Sequence, residues 1–295
     1  MSMVVWVNGS LVEQDTPVVR ATDHGLTVGD GVFETMRIFG GAPFALTRHL
    51  GRLSYSAQRL GLEGFDSDHT REGIAAVLAS GAQRGNLTNL TRLRITLTSG
   101  PGPMSAVRGD EGGSLIIVAS DAPAPRRCRA VRAPWVRNER SAIAGIKSTS
   151  YAENVVMAQF AAGKRADEAL MANTHGHLCE GTATNIFLEV DDEILTPPLA
   201  SGCLPGITRG LALEWGARMG LPVRVATIGE LDMSMLDRVC EGSAFAAVTS
   251  STRGIQPLDR LDGVTLNRGP MLSRLSREFH GFARDTPDPV PPRHK

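Results

Sequence analysis

Lys147 lies in the stretch Ala-Gly-Ile-Lys-Ser-Thr-Ser-Tyr-Ala-Glu-Asn, and Glu180 follows 33 positions later in Leu-Cys-Glu-Gly-Thr-Ala-Thr-Asn-Ile-Phe. A lysine amine can attack a carbonyl and hold it as an imine, and a carboxylate can keep an aromatic nitrogen protonated. A third element, Gly206-Ile207-Thr208-Arg209, reads as a turn that opens a helix. Backbone N–H groups and the helix dipole favour an anion such as phosphate there. An imine-forming lysine, a carboxylate for a pyridinium nitrogen and a phosphate cradle are the three parts that a pyridoxal phosphate site needs. A single lysine between an apolar run and a helical run is ordinarily solvated, so Lys147 takes its meaning from the parts that accompany it.

The setting of each part can be read further. Ala144 and Ile146 give Lys147 a partly apolar neighbourhood, which favours the free amine over the ammonium ion. Gly181, Thr182 and Thr184 directly after Glu180 predict a tight approach of the backbone. Thr249-Ser250-Ser251-Thr252 is a hydroxyl-rich turn after an apolar run, able to donate to phosphate oxygens or to serve as an ordinary loop.

Taken in order, these residues resemble the class IV aminotransferases, the pyridoxal phosphate enzymes of fold type IV. That group includes branched-chain and D-amino-acid aminotransferases, R-selective amine transaminases and 4-amino-4-deoxychorismate lyases. Asp23-His24-Gly25-Leu26-Thr27-Val28-Gly29-Asp30-Gly31-Val32-Phe33-Glu34 and His49-Leu50-Gly51-Arg52-Leu53 carry the resemblance through the first half, and it spans about residues 5–263. It implies an α+β fold of two domains, a smaller N-terminal α/β sandwich and a larger C-terminal β-barrel-like domain. It implies pyridoxal 5'-phosphate as cofactor, Lys147 as the catalytic Schiff-base lysine, Glu180 at the ring nitrogen and Arg52 on the phosphate. Ile207 and Thr208 would form one phosphate cradle. Ser251 and Thr252, or the same turn shifted by one residue, would form the second. Tyr151 stands near a tyrosine that branched-chain enzymes place on the ring hydroxyl, with core packing as the other reading. Homodimers are general in the group, and the resemblance implies one here.

Substrate signals are mixed. Phe33-Glu34-Thr35-Met36-Arg37 resembles a branched-chain pattern that points Glu34 and Arg37 towards substrate, and Arg94 matches an arginine near the substrate carboxylate. Arg94 would either bind that carboxylate or pair with an acid such as Glu34. Val28 and Arg92 stand where branched-chain enzymes have tyrosines, and Ser99 where D-amino-acid enzymes and lyases have arginine. Gly29-Asp30-Gly31 is closer to those two branches. Transamination of an amino acid or amine with a 2-keto acid is the leading reading. A lyase releasing pyruvate and 4-aminobenzoate would use the same lysine, whereas a catalytically silent binding protein would need neither Lys147 nor Glu180.

The elements that must hold these groups follow from periodicity. Val4 to Val7, Asn8-Gly9 and Ser10 to Val12 form a hairpin, because Asn-Gly adopts the positive φ angles of a type I′ turn. Residues 31–39 alternate as a strand, with Phe33, Thr35, Arg37 and Phe39 on one face and Val32, Glu34, Met36 and Ile38 on the other. Thr47 is read as the cap of a helix to residue 60, with Leu50, Leu53, Ala57 and Leu60 at helical spacing. Helices over 70–85, 151–165 and 208–219, and strands over 93–98, 114–119, 168–172, 186–190 and 245–249, complete the pattern. The prolines at 123 and 125 suggest a linker over 122–126 between domains at 1–121 and 127–282, and the Pro-rich end, 283–295, reads as a disordered tail.

Composition sets the outer bounds. A chain of 295 residues can bury a large core, and 42% hydrophobic with 21% charged residues is ordinary for a soluble enzyme. Basic and acidic residues balance at 31 each, so no overall field draws nucleic acid or an anionic membrane. Cys128, Cys179, Cys203 and Cys240 form no CxxC pair, which suggests a reduced cytoplasmic protein without structural zinc. The N-terminus lacks the basic and apolar regions of a secretory signal, and no apolar run reaches the ~20 residues of a spanning helix.

Overall fold

A computed structural model of the chain describes residues 3–83, 90–121 and 127–290. The chain divides into two compact units, one of Met1–Pro123, Ile146–Tyr151 and Thr286–Lys295, the other of Ala124–Gly145 and Ala152–Asp285. The expected linker, 122–126, lies outside the described residues. Sequence alone assigned 127–282 to one domain, yet Lys147 and Tyr151 belong to the first unit.

In the first unit the order is β1 (Met3–Val7), β2 (Ser10–Val12), α1 (His24–Thr27), β3 (Gly31–Phe39), β4 (Ala42–Pro43), α2 (Leu46–Leu60), α3 (Ser67–Gln83), β5 (Arg92–Thr98) and β6 (Leu115–Ser120). The strands make one six-stranded sheet in the order β2-β1-β6-β5-β3-β4. Strand β3 has the predicted bounds, and its alternation divides the faces as expected: Val32, Glu34, Met36 and Ile38 are all buried. Beneath them α2 presents Leu50, Leu53 and Ala57, and Leu93, Ile95, Ile117 and Ala119 extend the same core.

Two boundaries changed for physical reasons. Helix α2 begins at Leu46 after Ala45, which adopts a left-handed φ of 55°, and Thr47 is not its cap. Instead the Asp288 carboxylate accepts from the Thr47 backbone N–H at 2.9 Å and from its hydroxyl at 2.7 Å, while Pro287 O accepts from Ala45 N. The predicted disordered tail is therefore corrected for residues 283–290: 283–285 end a helix, and the segment after them caps α2. Residues 291–295 lie outside the described residues.

The second unit runs β7 (Arg129–Arg137), α4 (Ala152–Gly163), β8 (Glu168–Asn173), β9 (Leu178–Gly181), β10 (Asn185–Val190), β11 (Glu193–Thr196), α5 (Ile207–Arg218), β12 (Val223–Val225), α6 (Met235–Glu241), β13 (Phe245–Ser250), β14 (Gly254–Pro257), β15 (Arg260–Leu261), β16 (Val264–Thr265) and α7 (Pro270–Asp285). Its strands form two five-stranded sheets, β12-β11-β10-β13-β14 and β16-β15-β7-β8-β9. Both sheets contribute to one apolar core, with Ile186, Leu188 and Val248 from the first and Ala130, Leu170 and Leu178 from the second, which is the barrel-like arrangement expected. Helix α7 was not predicted. It buries Leu272, Leu275, Phe279 and Ala283 at helical spacing, and the Glu189 carboxylate accepts from Leu272 N at 2.8 Å at its start.

Because Asp288 satisfies the first turn of α2 as an N-cap carboxylate would, Asp288→Ala should lower stability by about 1 kcal/mol in urea unfolding. Asp288→Asn should lose less. No loss in Asp288→Ala would show that the contact does not support the helix.

Candidate active site

Three residues one or two turns apart on α2, His49, Arg52 and Ser56, face β3 and are buried. Glu34 descends from β3 between them with no solvent exposure. Its Oε1 accepts from Arg52 Nε at 2.7 Å and its Oε2 from Arg52 Nη2 at 2.7 Å, a bidentate pair. His49 Nδ1 lies 2.6 Å from Oε2, and a carboxylate can only accept, so Nδ1 carries the proton. Burial alone would raise the Glu34 carboxyl, but Arg52 and then His49 overcome it and hold it at about 2. Burial pushes His49 below its ordinary value despite the Glu34 charge.

The segment 146–149 joins this unit along the end of β3. Phe33 N donates to Lys147 O at 2.9 Å, Thr149 N to Gly31 O at 2.7 Å, and Val32 bridges to Ser148. Gly31 permits the approach, since a Cβ there would meet Leu97 O and the Thr149 hydroxyl. Gly29, at φ 70°, turns its carbonyl to the hydroxyls of Thr149 and Ser150, both at 2.9 Å. Lys147 is half-buried, and its Nζ stands 4.3 Å from the Phe33 ring centre and 5.9 Å from that of Tyr151. The two rings meet edge to face at 5.3 Å. Tyr151 thus touches the environment of the lysine amine as well as packing on Phe33.

Of the expected substrate residues, Glu34 is corrected. It lies on the buried face of β3, and both its oxygens are bonded to α2. Arg94 does not pair with it either. The Arg94 guanidinium lies over Phe33 at 3.9 Å and its Nε donates to the Thr96 hydroxyl at 3.2 Å. Arg37 lies over Phe39 at 4.3 Å on the same, open face of the sheet.

In the second unit, Glu180 lies in β9, one residue before its end, and is buried. Its Oε2 accepts from Leu204 N at 2.9 Å, and Arg137 Nη2 stands 3.5 Å from Oε1. The predicted tight turn is present: Gly181 N donates to Thr184 O at 2.7 Å, and a Cβ on Gly181 would collide with the Thr184 hydroxyl. Leu204 O accepts from Gly206 N and from Asn185 Nδ2, both at 2.8 Å. One turn, 204–206, therefore places both the Glu180 carboxylate and the start of α5.

That helix start suits an anion. Gly206 is its N-cap and makes no side-chain capping bond, and a Cβ there would collide with Asn185 Oδ1, so the backbone is bare. Thr208, in the first turn, is buried. Asn185 pairs across the sheet with Thr249, whose buried hydroxyl oxygen meets no hydrogen-bond partner among the described residues. A buried hydroxyl without a partner is costly, and a phosphate oxygen would supply one. In the turn that follows, Ser250 and Thr252 hydroxyls lie 3.3 Å apart and Arg253 N donates to Ser250, while Ser251 sits half-buried between them. These residues fit a phosphorylated cofactor. The orphaned hydroxyl is that of Thr249, two residues before the Ser251–Thr252 pair singled out from sequence.

Sequence reading also missed His49, Ser56 and Arg137. The first two carried a signal, since they share one helical face with Arg52. Arg137 lies 43 positions from Glu180 and had none.

A family model described as amino-transferase class IV matches residues 31–261. A Methanocaldococcus jannaschii protein with a provisional branched-chain-amino-acid aminotransferase name is 28% identical over 285 residues, covering 94% of this chain and 95% of its own. A D-alanine aminotransferase of Listeria monocytogenes is 28% identical over 286 residues, with 94% and 95% covered. Among solved structures, a fold IV transaminase from Curtobacterium pusillum superposes with a TM-score of 0.80 at 26% identity, covering 95% of this chain and 98% of that one.

The buried cluster makes stability acid-sensitive. Glu34 has a folded value of about 2 against 4.5, so the unfolded chain takes the proton first and stability falls as pH drops from about 4.5. His49, also lowered, adds a loss in the same direction that begins near its ordinary 6.5. Glu34→Gln removes the charge opposite buried Arg52 and should cost about 3–5 kcal/mol by denaturant unfolding at pH 7, with a weaker pH dependence below 4.5. An unaltered unfolding midpoint would contradict the cluster's role.

Proposed function

This chain belongs to the class IV aminotransferase family, whose members use pyridoxal phosphate, and on that premise we propose how its own residues carry the transfer. An amino group passes from an amino acid or amine to a 2-keto acid, giving the keto form of the first and the amino form of the second, with no external oxidant or reductant. When bound, the cofactor's protonated ring draws off the electron pair left at Cα after its proton departs. Lys147 is the residue that would hold the cofactor covalently and then carry the proton at Nζ. Its backbone is fixed by β3 and by Ser56, whose hydroxyl accepts from Lys147 N at 3.5 Å, so its reach is set by the sheet.

Glu180 would face the ring nitrogen, with Arg137 Nη2 3.5 Å from its Oε1 helping to hold it in place. Arg52, with its plane set by Glu34, would contact phosphate, and Ile207 and Thr208 at the α5 start, Thr249 at the end of β13 and Ser251 and Thr252 after it are the second unit's candidate phosphate contacts. Tyr151 would bear on the ring hydroxyl. Arg37 and Arg94 would read substrate. The observation that carries this reading is the pairing of an uncapped helix start with a carboxylate held by the same turn, within the matched family segment.

We read the assembly as a cytoplasmic homodimer. Trp135, Val136, Val155 and Val156 are large apolar side chains left exposed on β7 and α4, which supports a partner surface, and four free thiols support a reducing compartment. No helix among the described residues is long and apolar enough to cross a membrane.

Borohydride reduction of the holoenzyme followed by peptide mapping should place the cofactor mass on Lys147, and Lys147→Ala should lose amino transfer by a factor of about 10⁴ or more. A label on another lysine would overturn the assignment. Pyruvate release from 4-amino-4-deoxychorismate, with no amino transfer to pyruvate or 2-oxoglutarate, would favour the lyase instead.

A further inference from the structure

Two arginines are buried among the described residues, Arg52 and Arg209, and their charges are met differently. Arg52 has the bidentate Glu34 carboxylate. Arg209, on α5, is 6% exposed and has no carboxylate partner among the described residues. Its Nη2 donates to Pro197 O at 2.8 Å, and its buried Nε meets no hydrogen-bond partner among those residues. Burial holds the guanidinium below the ordinary arginine range, opposed by the Cys203 sulfur rather than by an acid. Arg209 also occupies the first turn of α5, where the helix dipole favours an acid and none is present. A Cβ on the N-cap Gly206 would stand 3.3 Å from Arg209 Cβ, so the side chain starts beside the bare backbone of the helix start. A buried cation without an acid, at the positive end of a helix, is costly on both counts.

What Arg209 holds is the loop 197–206, which leads from β11 into α5. Pro197, Pro198 and Pro205 bring no backbone N–H to this loop, so it depends on side chains for anchorage. Its far end supplies Leu204 N to Glu180 Oε2 at 2.9 Å. In the 3₁₀ turn Leu199–Ser201, Ser201 O accepts from Cys179 Sγ at 3.2 Å. Cys203 is buried in the same loop, with its Sγ 3.6 Å from Pro198 O. At the near end the Arg209 guanidinium takes the carbonyl of buried Pro197. One buried cation thus ties the start of the loop to the helix that the loop leads into.

We propose that Arg209 is a positioning residue that couples an anion at the start of α5 to the placement of Glu180. The inference rests on the cofactor reading above for the identity of that anion, a phosphate, which the bare helix start and the orphaned Thr249 hydroxyl also favour. With the anion bound, the Arg209 charge is balanced and its guanidinium stays on Pro197 O. The loop then remains closed and keeps Leu204 N on the Glu180 carboxylate. Without the anion, the unbalanced cation gains by reaching water, and the loop opens first at Pro197. Arg209 acts through the loop and needs no contact of its own with the cofactor.

The test uses the full-length chain freed of cofactor and its Arg209→Met and Arg209→Lys variants, with Cys203 alkylation by iodoacetamide read by peptide mass mapping. Cys203 should react about tenfold or more faster in Arg209→Met than in wild type, while Cys128, buried elsewhere in the second unit, keeps its rate. Inorganic phosphate should slow Cys203 alkylation in wild type and not in Arg209→Met. Arg209→Met should weaken binding of pyridoxal 5'-phosphate by about fivefold to a hundredfold and leave pyridoxal, which lacks the phosphate, unchanged. Arg209→Lys, which keeps the charge, should recover most of that loss. Equal Cys203 rates in wild type and Arg209→Met, an equal rise at Cys128, or equal losses for the two forms of the cofactor overturns the inference. Should Arg209→Met not fold, wild type decides: Cys203 alkylation that phosphate does not slow rejects the coupling. If wild type binds neither cofactor form, the cofactor reading fails, and phosphate protection of Cys203 in wild type but not in Arg209→Met still upholds the role of Arg209.

Discussion

A carboxylate without solvent sits at the centre of the first unit, and its neutralisation organises everything around it. Glu34 is carried into the core by strand parity, on the same face as Val32, Met36 and Ile38. An unpaired charge there would unfold the unit, so α2 must present Arg52 and His49 to it. Meeting that demand fixes the rotation of α2 on the sheet. It also fixes the plane of Arg52 and places Ser56 one turn on, where it receives the Lys147 backbone N–H. An apolar pair could be as stable in that position. What the ionic cluster adds is orientation, since a bidentate fork holds one angle whereas packed methyl groups tolerate several.

The second unit solves the same positioning problem with backbone. Leu204 N bonds the Glu180 carboxylate, and Leu204 O bonds both Gly206 and Asn185, so a three-residue turn sets a side chain and a helix start together. Arg137 supports the carboxylate from β7. The bare N-terminus of α5 and the unsatisfied Thr249 hydroxyl are costs that a folded domain would ordinarily remove, and an anion bound there would relieve both.

Local chemistry was legible in the residues themselves. The Asn-Gly hairpin, the bounds and two-faced alternation of β3, the tight turn after Glu180 and the helix opening at Gly206 all follow from turn preferences and periodicity, which depend on neighbours a few positions away. Lys147 and Glu180 could be singled out as candidates because their flanking segments are equally local. What could not be read was the partner of each charged group. Glu34 looked like a pocket residue by type, though parity put it with the core. Asp288 caps a helix 241 positions earlier, Arg137 reaches Glu180 across 43, and Lys147 joins the edge of a strand that begins at Gly31. Such pairings are chosen by which distant segments fold against each other, and by the need to leave no buried charge alone. The sequence by itself determined the elements and the chemical types at the candidate site; only the tertiary structure decided which of those charged groups neutralise one another, because such pairings depend on which distant segments pack together.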